Sequence, residues 1–268
     1  MNVLTPCRAA VFFSAMAACG APKVACDELD GRCGALAADQ GDSLRAIRAR
    51  SPRHAEGAPV SLRGVSVSAY DTFDEDGTGR VGNLFVQQAV AAEPGATDRW
   101  APCPLLPSLG VRVCALPLFA PRFSPAGYRP ATGDVVELGG GAYTEFTCAP
   151  CGREFEGGRF IPQIAQPSVT SAGVAPAPLA IPVTLAELVE HNDALVGNLV
   201  TVTDVVIETD PDRYNEVAIG AGVKLAFQMF PSEGFGAGLR LRRVTGIAYY
   251  FYGPKLIPRS AVDLDRAD

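Results

Sequence analysis

The sequence predicts an all-β protein of two tandem small barrels, about five strands each with a short helix, behind an export signal and a flexible tether. Three observations predict this class. A short phrase occurs twice: Gly140-Gly141-Ala142-Tyr143-Thr144-Glu145-Phe146 returns as Gly246-Ile247-Ala248-Tyr249-Tyr250-Phe251-Tyr252. Two copies of one β unit imply two related domains. Each copy follows an apolar run and precedes a short strand that reaches a proline, Phe160-Ile161-Pro162-Gln163 and then Leu256-Ile257-Pro258-Arg259. Composition agrees, because 28 Gly and 22 Pro in 268 residues supply the turns that many short strands need. A glycine inside each phrase, Gly140 or Gly246, is expected to form a bulge where a long fourth strand bends round its barrel.

Residues 1–18 read as a lipoprotein signal peptide: Arg8 supplies positive charge and residues 9–18 an apolar stretch. Met16-Ala17-Ala18-Cys19-Gly20 places small residues before a cysteine. This resembles the bacterial lipobox, which implies lipidation at Cys19, a membrane partner through that anchor, and an outer-membrane or cell-surface address. About ten apolar residues are too few to span a bilayer as a helix. Residues 19–58 mix Gly, Pro, Ala and charge without sheet periodicity, so a largely irregular tether is expected, with a short helix around 43–50. The first domain, 59–171, opens on Val60-Ser61-Leu62-Arg63-Gly64-Val65-Ser66-Val67-Ser68, which alternates as a strand does. An acidic turn, a Pro- and Cys-bearing insertion over 93–109, the run Val111-Arg112-Val113-Cys114-Ala115-Leu116 and a closing hairpin follow. A Pro-rich linker, 172–182, leads to the second domain, 183–268. There Thr184 and Glu187 form a capping box for a helix over 185–191. Strands are expected at 199–203, 205–208, 216–219, 223–229, 239–252 and 255–257.

Eight cysteines fit the same compartment. Cys7 leaves with the signal and Cys19 takes lipid, so Cys26, Cys33, Cys103, Cys114, Cys148 and Cys151 remain. An even set in an exported chain reads as disulfides. Cys26 pairs with Cys33 in the tether, and the other four leave three connectivities open. Cys148-Ala149-Pro150-Cys151 also has redox spacing, but that chemistry needs a helix N-terminus to activate a thiol. Zinc would need a second close pair, whereas Cys103 and Cys114 are eleven positions apart.

The stretches Leu195-Val196-Gly197-Asn198-Leu199-Val200-Thr201-Val202, Val244-Thr245-Gly246-Ile247 and Tyr252-Gly253-Pro254-Lys255-Leu256-Ile257-Pro258-Arg259-Ser260-Ala261-Val262-Asp263 resemble OB-fold domains of secreted bacterial proteins. Those are the small barrels that accompany extracellular nucleases and occur in envelope lipoproteins. The first repeat resembles them more distantly, keeping Gly82-Asn83-Leu84-Phe85-Val86-Gln87 and Gly133-Asp134-Val135-Val136, with Gln163 in the place of Arg259. The resemblance implies the fold. It implies no catalytic residues, since in such proteins the chemistry belongs to a separate nuclease domain.

Charge and motifs narrow the function. Residues 59–178 carry 8 basic and 11 acidic residues, and 179–268 carry 8 and 12. Neither supplies the positive field of a non-specific nucleic-acid binder. The two histidines are His54 in the tether and His191 at a helix end, and no hydrolase, zincin or phosphate-loop motif occurs. No catalytic residue, cofactor or metal is therefore expected. Asp71, Asp74, Glu75 and Asp76 do not follow the ligand order of an EF-hand and read as a solvated turn. The candidate ligand surface combines Tyr250, Tyr252, Lys255 and Arg259, with Arg240 and Arg242 as a local anion patch. Aromatic rings on a strand face are stacking platforms in OB barrels, and alternation leaves at most two of the four rings at 249–252 for that role. The expected function is a non-catalytic binding or scaffold module at the cell envelope, its ligand a protein, a glycan or a nucleic acid; the alternatives are an oligonucleotide- or oligosaccharide-binding accessory to an extracellular hydrolase, or a metalloprotein or enzyme.

Overall fold

The computed structural model describes residues 42–73, 82–149 and 154–267. Cys19, Cys26, Cys33, Cys151 and the acidic residues Asp74, Glu75 and Asp76 lie outside them. The described chain is mostly strand, arranged in two sheets with short helices. No helix among the described residues is long and apolar enough to cross a membrane.

The segment expected to be tether is folded from residue 42 onward. Helix α1 (Leu44–Arg48) is N-capped by the Ser43 hydroxyl, which accepts from the Ala46 amide. Leu44 and Ile47 are fully buried in the core of the first sheet, and one such side chain contributes roughly 1.5–3 kcal/mol. The short helix is where the sequence places it, but its burial went unread because Leu44 and Ile47 are the sole large apolar residues in a stretch rich in charge.

The first sheet contains β1 (Pro59–Tyr70), β2 (Leu84–Ala91), β3 (Leu105–Leu106), β4 (Val111–Phe119), β5 (Arg122–Ser124), β6 (Asp134–Phe146), β7 (Ile161–Ala165) and β8 (Ser168–Val174). Its pairings return on themselves: β1 to β2, β2 to β4, β4 to β7, β7 to β6, and β6 to β1. Only β4 and β7 in this circuit run parallel. The second sheet follows β9 (Ile181–Pro182), α2 (Leu185–Glu190) and α3 (Asn192–Leu195), and comprises β9, β10 (Leu199–Val206), β11 (Glu216–Ala218), β12 (Lys224–Ala226), β13 (Arg240–Tyr250), β14 (Pro254–Ile257) and β15 (Leu264–Arg266). Its order repeats the first: β10 to β13, β13 to β14, β14 parallel to β12, and β12 to β11. The Glu208 amide, just past β10, then donates to Ala218 of β11 at 2.8 Å. The capping box on α2 is present, Thr184 and Glu187 bonding reciprocally.

The repeated phrase falls on β6 and β13, the long strand of each sheet, but its glycines serve different ends. Gly140 has φ +65° beside a register shift against β1, the expected bulge. Gly246 pairs regularly with Val200, and a Cβ there would sit 2.7 Å from the Ile257 carbonyl oxygen. Its requirement is close approach, not bending. The matching proline also moves. Pairing of Tyr143 with Ile164 and of Tyr249 with Lys255 makes Pro167, not Pro162, the counterpart of Pro258. Gly141 packs against Pro167 as Gly246 packs against Pro258. The first hairpin is thus longer than the phrase alone suggested.

The two sheets share apolar contacts. One buried cluster unites Phe85, Phe155 and Ile161 with Val196, Leu199, Ile247, Tyr249, Tyr250 and Ile257. A Cβ on Gly197 (φ +86°) would lie 3.2–3.3 Å from Ala115, Leu116 and Pro117 of β4, so glycine lets the chain before β10 lie against that strand. Arg99 reaches across to Glu187 at 2.5 Å and to the Pro182 carbonyl at 2.6 Å. The expected linker is fixed at both ends. Its first residues belong to β8, while the Gln87 side chain donates to and accepts from the Leu179 backbone.

Candidate functional site

The second sheet carries a cavity of about 510 Å³ between the β11–β12 hairpin and the β13–β14 turn. The hairpin reverses at Gly220 and Gly222, both at positive φ, a conformation glycine adopts without penalty. β12 and β14 run parallel with Lys224 beside Lys255. Two adjacent ammonium groups are tolerable because Glu216, 4 % exposed, lies within reach of both. Lys255 Nζ donates to its Oε1 and Lys224 Nζ to its Oε2, the latter at 2.9 Å. Lys224 also donates to Asp212 Oδ2 at 2.9 Å. Hydrogen bonds to Glu216 and then Asp212 raise the Lys224 pKa. At Asp212 burial pushes the pKa up, but Lys224 and the Tyr214 and Glu216 amides together bring it below the usual value. The two lysines therefore spend their charge on carboxylates.

Aromatic side chains complete the walls. Tyr214 is exposed with Arg213 over its ring at 4.7 Å, and Tyr252 is 44 % exposed. Phe251 lies edge-on to Tyr252 at 5.0 Å and takes Lys255 over its face at 5.3 Å. Tyr252 sits at φ +53°, and its hydroxyl donates to Cys148 Sγ at 3.5 Å. The left-handed backbone at the turn lifts this ring out of strand alternation. Asn215 and Gln228 add neutral amide groups to the lining.

Of the residues expected at a ligand surface, this cavity gathers Tyr252 and Lys255. Tyr250 is elsewhere: it is 8 % exposed, edge-on to Phe155 at 5.2 Å, with Arg159 over its ring at 5.0 Å. The contact between sheets covers it, which alternation along one strand does not reveal. Arg259 is engaged by Asp263, donating from Nε at 2.8 Å and Nη2 at 2.7 Å, and reaches the Ser68 carbonyl at 3.4 Å. It braces the chain end. Arg240 and Arg242 lie at the far end of β13, and Arg242 pairs with Asp265 at 3.2 Å. Arg213, Tyr214, Glu216 and Lys224 were not anticipated. Their signal was a charged pair, Glu216 and Lys224, within two very short apolar runs.

Cys103 and Cys114 form a disulfide with a Cα–Cα distance of 5.0 Å, both fully buried. Cys148 is also disulfide-bonded. Among the described residues no three His, Cys, Asp or Glu side chains converge as a metal site would require. His54 is 1 % exposed. Its Nδ1 lies 2.7 Å from Ser51 Oγ and its Nε2 3.0 Å from Asp42 Oδ1. This resembles a hydrolytic triad in composition only, because the imidazole is sealed inside the fold, where it ties residue 42 to the turn at Pro52–His54.

Comparison with protein-family models, with curated proteins and with solved structures finds no match. The candidate site therefore rests on its own geometry. Water-facing rings, amides and an internally neutralised lysine pair suit the binding of a polar, extended molecule.

Proposed function

We propose that this chain is a non-catalytic, exported lipoprotein module of two OB-like barrels that binds an oligosaccharide through the second. The fold reading is supported by the strand order. With β1, β2, β4, β6 and β7 taken as strands one to five, the pairing order is one-two-three-five-four and back to one. The second sheet repeats that order with the same parallel pair. OB barrels present the face of strands two and three and the adjoining loops to oligomeric ligands. In the first sheet that face meets the second sheet: β4 is almost wholly buried. In the second sheet Glu216 of strand two and Lys224 of strand three line the cavity. Export rests on the Met16-Ala17-Ala18-Cys19-Gly20 pattern and agrees with the buried disulfide.

The observation that carries the binding assignment is the cavity with Tyr214 and Tyr252 exposed at its mouth. A glycan is favoured over a nucleic acid because Glu216 and Asp212 already occupy both lysines. Phosphates would compete with these carboxylates, whereas hydroxyl groups can share them.

Calorimetric titration of the full chain in detergent, with neutral and anionic oligosaccharides and with a single-stranded oligodeoxynucleotide, tests the assignment. Saturable oligosaccharide binding is expected, weakened about tenfold in Tyr214→Ala and in Tyr252→Ala. Salt-sensitive oligonucleotide binding at the same residues would transfer the site to nucleic acid. Binding of neither ligand sinks the reading. Fatty-acid labelling of wild type against Cys19→Ala tests the anchor, and equal incorporation rejects it.

A further inference from the structure

A second cavity, of about 400 Å³, lies where α1 and the first sheet meet α3 of the second. We propose that it binds a phosphoryl anion, inorganic phosphate or a phosphomonoester, with Arg48, Arg50 and Arg159 as its cationic wall. The three guanidinium groups come from separate parts of the chain: the end of α1, the turn after it, and the loop before β7. Among the ionisable residues lining the cavity, Asp193 is the single carboxylate, and it is exposed.

Arg48 is the decisive group. Its Nη2 donates to the backbone carbonyls of Asp193 and Ala194, at 2.5 and 2.9 Å. Those oxygens orient the guanidinium but carry no net charge. Its Nη1 is buried and has no hydrogen-bond partner among the described residues. Burial pulls its pKa down to about 10, and the nearby Tyr143 and Asp193 offset only part of that shift, reflecting the cost of a buried cation whose charge is incompletely compensated. An oxyanion in the cavity offsets that cost and accepts from Nη1.

Arg50 is half exposed, pairs with Glu145 at 2.6 Å and lies over the Phe160 ring at 4.2 Å. Arg159 is held over Tyr250. The ring contact leaves Arg159 its guanidinium edge for a ligand, while Arg50 brings the donors that Glu145 does not occupy. A tetrahedral oxyanion offers acceptors in several directions at once, matching donors from three elements better than one planar carboxylate does.

The test uses Trp100, the chain's single tryptophan, which lines this cavity. Full-length protein in detergent is titrated at constant ionic strength with phosphate, with glycerol phosphate and with chloride, and indole emission is followed. Phosphate or glycerol phosphate is expected to give a saturable change that chloride does not. Affinity should fall about tenfold in Arg159→Gln and in Arg50→Gln, with unchanged circular dichroism. Arg48→Gln should lose more, but it also removes bonds to α3, so the other two variants decide. Tighter binding of glycerol phosphate than of phosphate identifies an ester as the ligand, and the reverse identifies the free anion. No saturable response up to about 10 mM, an equal response to chloride, or undiminished affinity in both variants overturns the proposal. None of these outcomes bears on oligosaccharide binding at the other cavity.

Discussion

Asp71 shows how one side chain couples stability to pH. Its carboxyl accepts from the Phe73 amide at 3.2 Å and packs against Gly82, where a Cβ would fall 1.9 Å from Oδ2. Burial raises its pKa to about 6, the Phe73 bond offsetting only part of the shift. A carboxyl whose folded pKa is raised favours the fold while protonated. Its contribution is complete below about pH 4 and is lost as pH rises through about 6. The melting temperature should fall across that window by about 2–4 °C relative to Asp71→Asn, corresponding to roughly 1 kcal/mol after discounting for solvent screening at a half-buried site. Parallel thermal melts of both proteins from pH 4 to 7 measure the difference, and superimposable profiles would remove Asp71 as the source.

At the scale of elements, the two glycines of the repeated phrase make opposite predictions. A Cβ at Gly246 meets backbone atoms of Ile257 and Pro258 at 2.7–2.9 Å, and backbone cannot step aside as a flexible side chain can. Gly246→Ala should cost about 3 kcal/mol or more through strand displacement. Gly140→Ala meets nothing within 4 Å and should cost only the left-handed backbone strain, roughly 1–2 kcal/mol. Urea denaturation of the two variants ranks them, and equal costs would show that close approach is not what Gly246 provides. The pair also marks what could be read from sequence. The repeat, the capped helix at Thr184 and the strand alternation at Val60 are local patterns, and each appears in the structure. The cavity was legible only at Tyr252 and Lys255, since Glu216 and Tyr214 reach it through pairing of strands far apart in sequence. The unbroken apolar run of β4 from Val113 to Phe119 was a missed sign that both its faces are covered.

Across the whole molecule, Phe155 joins the sheets. Its ring lies edge-on to Phe146 of the first sheet and to Tyr250, Phe251 and Tyr252 of the second. Phe155→Ala should cost about 3–5 kcal/mol. It should also change the form of unfolding, from one cooperative transition to two, because the ring that touches both sheets is removed and their coupling is weakened. Differential scanning calorimetry resolves this, and a single transition at an unchanged midpoint would mean that the coupling lies elsewhere. The same ring supports Tyr252 from behind, so the variant should weaken ligand binding as well.

Past β8 the chain crosses from one sheet to the other through residues 175–178, where Pro176 and Ala177 are exposed and Ala175 and Pro178 are half-buried. Beneath that crossing the halves meet through buried aromatic and aliphatic side chains and through the Arg99–Glu187 pair. Covalent continuity there is therefore dispensable for association. A protease that cuts the crossing should yield two fragments on a denaturing gel that still elute as one particle from a sizing column. Such a cut would leave an intact assembly in place of debris.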